Sequence, residues 1–227
     1  MEYRNELKFE VSEQILTQIK WRLMPVMQAD PHQGENGYEV RSLYFDDVYD
    51  SMLNENEAGV DARCKYRIRI YNGQQEVIHL EKKSKLHGMT KKEAVSLTPE
   101  QCRAYMDGKN SMTLFREIGN SVEAEMYRKV MTQCLQPKCI VEYDRFALVE
   151  PIGNVRITFD RNIRGSRRVQ DFFEERLSGV PVMKQGCHIL EVKFDEFLPQ
   201  YILRLLDMGA LHRQSYSKYY TVRKKLG

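Results

Sequence analysis

The sequence predicts an α+β chain dominated by antiparallel strands and folded as one domain. Three observations predict it. Eight segments alternate apolar and polar residues with period two. An Asn72-Gly73 pair separates two of them, as a hairpin turn requires. The helical stretches between them carry their own start and stop residues, and no repeat or Pro/Gly/Ser-rich linker divides the 227 residues.

The elements follow in order. Tyr3 to Glu10 alternates and reads as a strand. Ser12 caps a helix from Glu13 to Met24, with Ile15, Leu16, Ile19 and Leu23 at helical spacing. After the Pro31–Gly37 loop comes a strand over 37–46, then a short helix or turn over 47–57. Strands at about 61–71, 76–84 and 89–97 form an antiparallel set. Thr98-Pro99-Glu100-Gln101 opens a helix with a capping box and a first-turn proline, and Gly108 ends it. A second helix spans Val122–Cys134. Strands follow at 138–149, 154–161 and 187–195, the first two joined by Pro151-Ile152-Gly153. Pro199 opens a helix to Met208 that stops at Gly209, and Leu211–Leu226 reads as a last helix. Gly165–Val182 carries no readable pattern.

Composition excludes several classes. The 35 Lys+Arg against 32 Asp+Glu leave a net charge of +3, too even for a general nucleic-acid binder. No stretch is apolar enough for a membrane span, and MEYRNELKFE is no secretory signal. Five cysteines without a Cys-x-x-Cys pair and five scattered histidines predict reduced, packed thiols, no zinc site and a cytoplasmic protein.

Alternation sorts strand residues by face. Arg63, Lys65, Arg67 and Arg69 share one face; so do His79, Glu81 and Lys83; so do Glu191, Lys193 and Asp195; so do Arg156, Thr158 and Asp160; so do Arg4, Glu6 and Lys8. An open sheet would display these as a destabilising like-charged field. Either the basic faces are dispersed around the surface, or the sheet closes into a barrel whose polar lumen takes a polyanion. Arg suits phosphate through its planar fork and Lys as a point charge. Glu191 and Glu81 are placed to hold a hard divalent cation that bridges to phosphate, and they serve equally as ion-pair partners for lumen lysines.

Seven strings then carry a resemblance: RSLYFDD (41–47), KYRIRIYNG (65–73), HLEKKSK (79–85), VEYDRFAL (141–148), VRITFD (155–160), ILEVKFD (189–195) and SYSKYY (215–220). In this order they resemble VTC-type polyphosphate polymerase domains, of the triphosphate tunnel metalloenzyme superfamily, over nearly the whole chain. The resemblance implies an antiparallel β-barrel tunnel of about eight strands with surrounding helices. It implies phosphate-handling roles for Arg67, Arg69, Lys83, Arg145, Arg156 and Lys218. Substrate contacts fall on Lys8, Lys92, Lys193 and Ser217, with Lys91 the rival of Lys92. Mn²⁺ or Mg²⁺ falls on Glu191, with Glu81 beside it. The opening strand has Glu6-Leu7-Lys8 where the wider superfamily has Glu-x-Glu-x-Lys.

The implied activity is transfer of the γ-phosphate of ATP to inorganic polyphosphate, with pyrophosphate or polyphosphate as acceptor and ADP released. A triphosphatase or NTPase of the same tunnel, and a non-catalytic polyphosphate-binding subunit, stay open beside it. The expected domain is 1–227 with no SPX module and no transmembrane region. The expected partners include no nucleic acid, and a separate membrane protein would place the chain peripherally at the inner face of the membrane. Arg161, Arg164, Arg167 and Arg168 read as a solvated loop or a tunnel mouth.

Overall fold

The computed structural model describes residues 3–108, 121–206 and 211–227. Its sheet comprises β1 (Asn5–Ser12), β2 (Gln28–Ala29), β3 (Tyr38–Asp46), β4 (Arg63–Tyr71), β5 (His79–Leu86), β6 (Met89–Ser96), β7 (Gln136–Glu150), β8 (Val155–Ser166), β9 (Val180–Pro181) and β10 (Cys187–Phe194). Eight of these follow the order β1-β10-β8-β7-β3-β4-β5-β6, all antiparallel, while the short β2 and β9 pair with β7 and β8. The sheet curls until its edges meet. Arg4 and Thr90 exchange both backbone hydrogen bonds, at 2.9 and 3.0 Å.

The period-two pattern decides which face turns inward. Leu43, Ile68, Leu80 and their neighbours point outward into a core covered by α3 (Pro99–Asp107) and α4 (Ser121–Gln133). On the opposite side Phe146, Ile157, Phe159, Leu190 and Val192 are covered by α1 (Glu13–Leu23) and α5 (Gln200–Leu206). Each fully buried side chain of this size contributes about 1.5–3 kcal/mol. A third cluster lies inside the curl, where α6 (Lys218–Leu226) sends Tyr219 and Val222 between Val141, Ile163 and Ile189. Gly165 permits this approach: a Cβ there would lie 2.4 Å from Val222 Cγ1.

Local signals behave as the physics requires. Ser12 accepts from the Ile15 amide and caps α1, and Thr98 with Gln101 forms the capping box of α3. The short helix expected after β3 is α2 (Ser51–Glu57), whose first turn is held by Asp46 accepting from the Met52 and Leu53 amides at 3.0 Å each. At Asn72-Gly73 both residues are left-handed (φ 51° and 66°) and Gln74 donates to the Tyr71 carbonyl, although β5 resumes only at His79.

The largest departures from the sequence reading lie in the second half of the chain. β8 runs to Ser166 instead of stopping at 161, because a left-handed Asn162 (φ 53°) forms a bulge that resets the alternation. The last helix begins at Lys218 rather than 211, with Ser217 as its cap. Residues 211–217 instead run extended beside β1, where Gln214 donates to the Lys8 carbonyl at 2.9 Å. The unreadable 165–182 stretch holds a 3-10 turn over Val169–Phe173, and the buried Arg41 donates to the Phe172 carbonyl there at 3.1 Å. The Met208 end and Gly209 stop lie outside the described residues. Among the described residues no helix is long and apolar enough to cross a membrane.

Candidate active site

The inward faces enclose a cavity of about 1000 Å³. Fourteen Lys or Arg side chains line it against three carboxylates, Glu6, Asp30 and Glu191. Nearly every residue singled out from the sequence converges here: Lys8, Arg67, Arg69, Lys83, Lys92, Arg145, Arg156, Glu191, Lys193, Ser217 and Lys218. Lys92 faces the cavity, whereas Lys91 pairs with Glu93 at 3.2 Å. Glu81 is fully buried behind this lining. The strands also carry Arg161 and Arg164 out of the supposed loop. Arg161 pairs with Glu13 at 2.8 Å and Arg164 with Glu142 at 2.6 Å, both away from the cavity.

Two buried acids hold the arginines in place. Glu81 accepts from Arg67 Nε at 2.7 Å and from Lys92 Nζ at 3.0 Å, with Arg69 at 3.6 Å. Burial works against its charge, but Arg67, Arg69 and Lys92 outweigh it and hold the carboxyl well below its usual range. Glu81 is not part of the cavity wall, so a metal role for it does not fit this placement. Asp160 takes a fork from Arg145, Nε and Nη2 each at 2.7 Å, and Lys218 Nζ at 2.6 Å. Such paired geometry fixes a guanidinium far better than solvent does. Asp160 is visible in the sequence on the Arg156 face, but its partners lie on β7 and α6 and depend on register.

The two other acids face the cavity from adjacent strands. Glu191 meets Lys218 at 3.0 Å and Lys193 at 3.2 Å, with Lys8 at 3.7 Å and Arg145 at 3.8 Å. Glu6 meets Lys83 at 2.7 Å and Lys193 at 3.4 Å. Among the described residues no group of three or more His, Cys, Asp or Glu could hold a metal. Glu191 with Glu6 supplies two hard oxygen donors, the number a Mg²⁺ or Mn²⁺ ion uses when phosphate oxygens complete its shell. The donor set fits such an ion.

The cations differ in how they are balanced. Burial opposes the charge of Lys218, yet Asp160 and Glu191 override it and raise its pKa. Burial lowers Lys83 to about 7, with Glu6 opposing and Lys8 and Lys193 adding to the shift. Lys65 is pushed well below its usual value by burial and then by Lys8, Lys83, Arg63 and Arg67. Among the described residues its ammonium donates only to neutral oxygens, Asn56 Oδ1 at 2.5 Å and Ser217 Oγ at 2.7 Å. Parity places Lys65 on the basic face without marking it as a site residue.

Comparison with known proteins agrees with this architecture. A Hippeastrum protein assigned as an adenylyl cyclase, with a dominant triphosphatase activity, superposes with TM-score 0.58 at 13% identity, covering 99% of this chain and 96% of that one. A Bacillus halodurans protein assigned as an adenylate cyclase gives TM-score 0.55 at 14% identity, over 95% and 94% of the two chains. A Pyrococcus horikoshii protein gives 0.52 at 12% identity, over 98% and 99%. At these identities the likeness is one of fold. No curated protein matches the sequence. The VTC domain profile matches residues 3–226, and the chain belongs to the VTC domain family.

Proposed function

We propose that the protein is a polyphosphate polymerase, which transfers the γ-phosphate of ATP to the end of an inorganic polyphosphate chain and releases ADP. The observation that carries this reading is the cavity's charge in a VTC domain: fourteen cations to three carboxylates around about 1000 Å³. A chain of phosphates neutralises such an excess, whereas a small neutral metabolite would not.

Arg67 and Arg69, clamped by Glu81, present guanidinium donors to the triphosphate, and Lys83 and Lys92 flank them from β5 and β6. Arg145 and Lys218, fixed by Asp160, stand over the region of Glu191. With donor and acceptor held in line, the acceptor's terminal oxygen forms the new P–O bond as the bond from the γ-phosphorus to the β–γ bridging oxygen breaks. No side-chain nucleophile is required, since positioning and charge neutralisation supply most of the rate. A divalent ion on Glu191 and Glu6 would neutralise phosphate charge when bound.

Incubation with ATP and Mn²⁺, followed by gel electrophoresis and ADP measurement, tests this reading. ADP with a polyphosphate ladder is the expected result. Free phosphate without a ladder would overturn it in favour of triphosphate hydrolysis, the reading that the Hippeastrum protein's dominant triphosphatase activity supports. Tripolyphosphate binding without turnover would make the chain a binding subunit.

A further inference from the structure

The aromatic rings around the cavity are of two kinds. Those at its middle are already covered by cations: Arg67 lies over Tyr44 at 5.7 Å, and Arg145 and Lys218 lie over Tyr143 at 5.1 and 4.7 Å. Tyr44 also stacks on Tyr219, with centroids 5.1 Å apart. The other kind gathers at one end, on three neighbouring strands: Tyr38 on β3, Tyr71 on β4 and His79 on β5. Tyr71 stands between its neighbours. The Tyr38 ring is 5.7 Å away at 70°, and the His79 ring 6.4 Å away at 76°, so the three form a walled corner. Among the described residues no Lys or Arg lies over any of these three rings.

One polar atom in the same corner awaits a partner. His79 Nδ1 is buried and has no hydrogen-bond partner among the described residues. Burial, with Lys92 and Arg69 adding to it against Glu81, lowers the imidazole pKa and favours the neutral ring, which can donate from one nitrogen and accept at the other. Asn72 and Gln74, presented by the left-handed turn, line this end as well. The opposite end is different in kind. Arg63, Lys65 and Lys85 line it with a single ring, Tyr216. Arg63 and Tyr71 are the two ends of β4, about 26 Å apart at the usual strand rise.

We propose that the Tyr38–Tyr71–His79 corner is the nucleobase site of the donor triphosphate, and that the cavity therefore has a direction. The purine stacks at this end, the triphosphate runs inward along Arg69 and Arg67, and the phosphate chain extends toward Lys65, Arg63 and Lys85. The inference rests on a nucleoside triphosphate being the phosphate donor. It adds the part that separates ATP from a bare triphosphate: a π-face for the base and neutral hydrogen-bonding groups beside it.

Calorimetric titration with ATP and with inorganic tripolyphosphate tests it, because the two ligands differ by the nucleoside. Tyr71→Ala is expected to weaken ATP by about tenfold and tripolyphosphate by less than about twofold, the scale of one lost base–aromatic stack. Tyr71→Phe, which keeps the ring, is expected to restore ATP affinity. His79→Ala carries the same ATP-selective loss, and it serves if Tyr71→Ala does not fold; tripolyphosphate binding certifies each variant's fold. Equal losses for both ligands, no loss for ATP, or an ATP-selective loss from Tyr216→Ala instead would overturn the assignment. The titration reads binding alone, so it tests the base site even in a protein that makes no polyphosphate. Conversely, a polyphosphate ladder with no ATP-selective loss would leave the polymerase standing and remove only the base site. Wild-type protein that binds neither ligand would overturn both readings.

Discussion

Two regions of the cavity hold the same kind of side chain in opposite states. Around Asp160 and Glu191, Lys218 has carboxylate oxygens at 2.6 and 3.0 Å and a raised pKa. Near Ser217, Lys65 has only neutral oxygens among the described residues and a pKa driven well down. A buried cation with its own counter-ion is a fixed part of the scaffold, while a buried cation without one is a standing cost. That cost is offset when an anion arrives. The contrast separates groups that shape the site from groups that attract its ligand.

The strongest way to break this contrast is Asp160→Ala, which leaves the buried Arg145 and Lys218 to share Glu191 alone among the described acids. It is expected to cost about 3–5 kcal/mol of stability by chemical denaturation, and a loss under about 1 kcal/mol would show that the acid is not structural. Next comes Arg67→Ala. With Glu81 still held by Arg69 and Lys92, the fold survives while turnover falls by roughly 10²–10³, as for removal of a preorganised donor to developing charge. Lys65→Met has the opposite sign on stability. It removes an unbalanced buried charge, so the ligand-free protein unfolds at higher denaturant, while tripolyphosphate affinity falls by about tenfold, one charge-assisted hydrogen bond. Loss of stability in that variant would break the contrast.

The smallest effect is one of pH. The folded pKa of Lys65 lies below its ordinary 10.5, so its stability cost is complete below the folded value and disappears as pH rises toward 10.5. The stability advantage of Lys65→Met therefore shrinks between the folded value and 10.5 in pH-dependent denaturation. Tripolyphosphate restores the charge, so its binding takes up protons there. Titrations in buffers of different ionisation enthalpy detect that uptake, and Lys65→Met reduces it.

Much of this is legible along single strands. Arg67 and Arg69 share a face with Lys65 because a strand alternates, and the same parity places Lys8, Lys83, Glu191 and Lys193. Alternation does not say which strand lies alongside or in what register. In the sequence Glu81 is as suitable for a metal as Glu191, and only the fold shows Glu191 at the cavity wall and Glu81 behind it, bound to Arg67 and Lys92. Asn162 breaks the rhythm of β8, and the legible pattern stops where the bulge begins. The 211–217 segment contains enough helix formers to read as helix, yet its backbone bonds go to Lys8 and its neighbours. Tertiary pairing overrides local preference there. Tyr38, Tyr71 and His79 are ordinary residues of three separate strands, and only the sheet order makes them a corner.

Lys8 ties the last part of the chain to the first. Its carbonyl accepts from Gln214, and its ammonium donates to the Tyr216 carbonyl, 208 positions later, at 2.8 Å. On the ribosome β1 therefore waits for a segment made 208 residues later before its inner face is complete. The segment that supplies Ser217 and Lys218 to the chamber arrives in that same late step. Such long-range closure slows folding, and it makes this late pairing the step that assembles the site's chemistry.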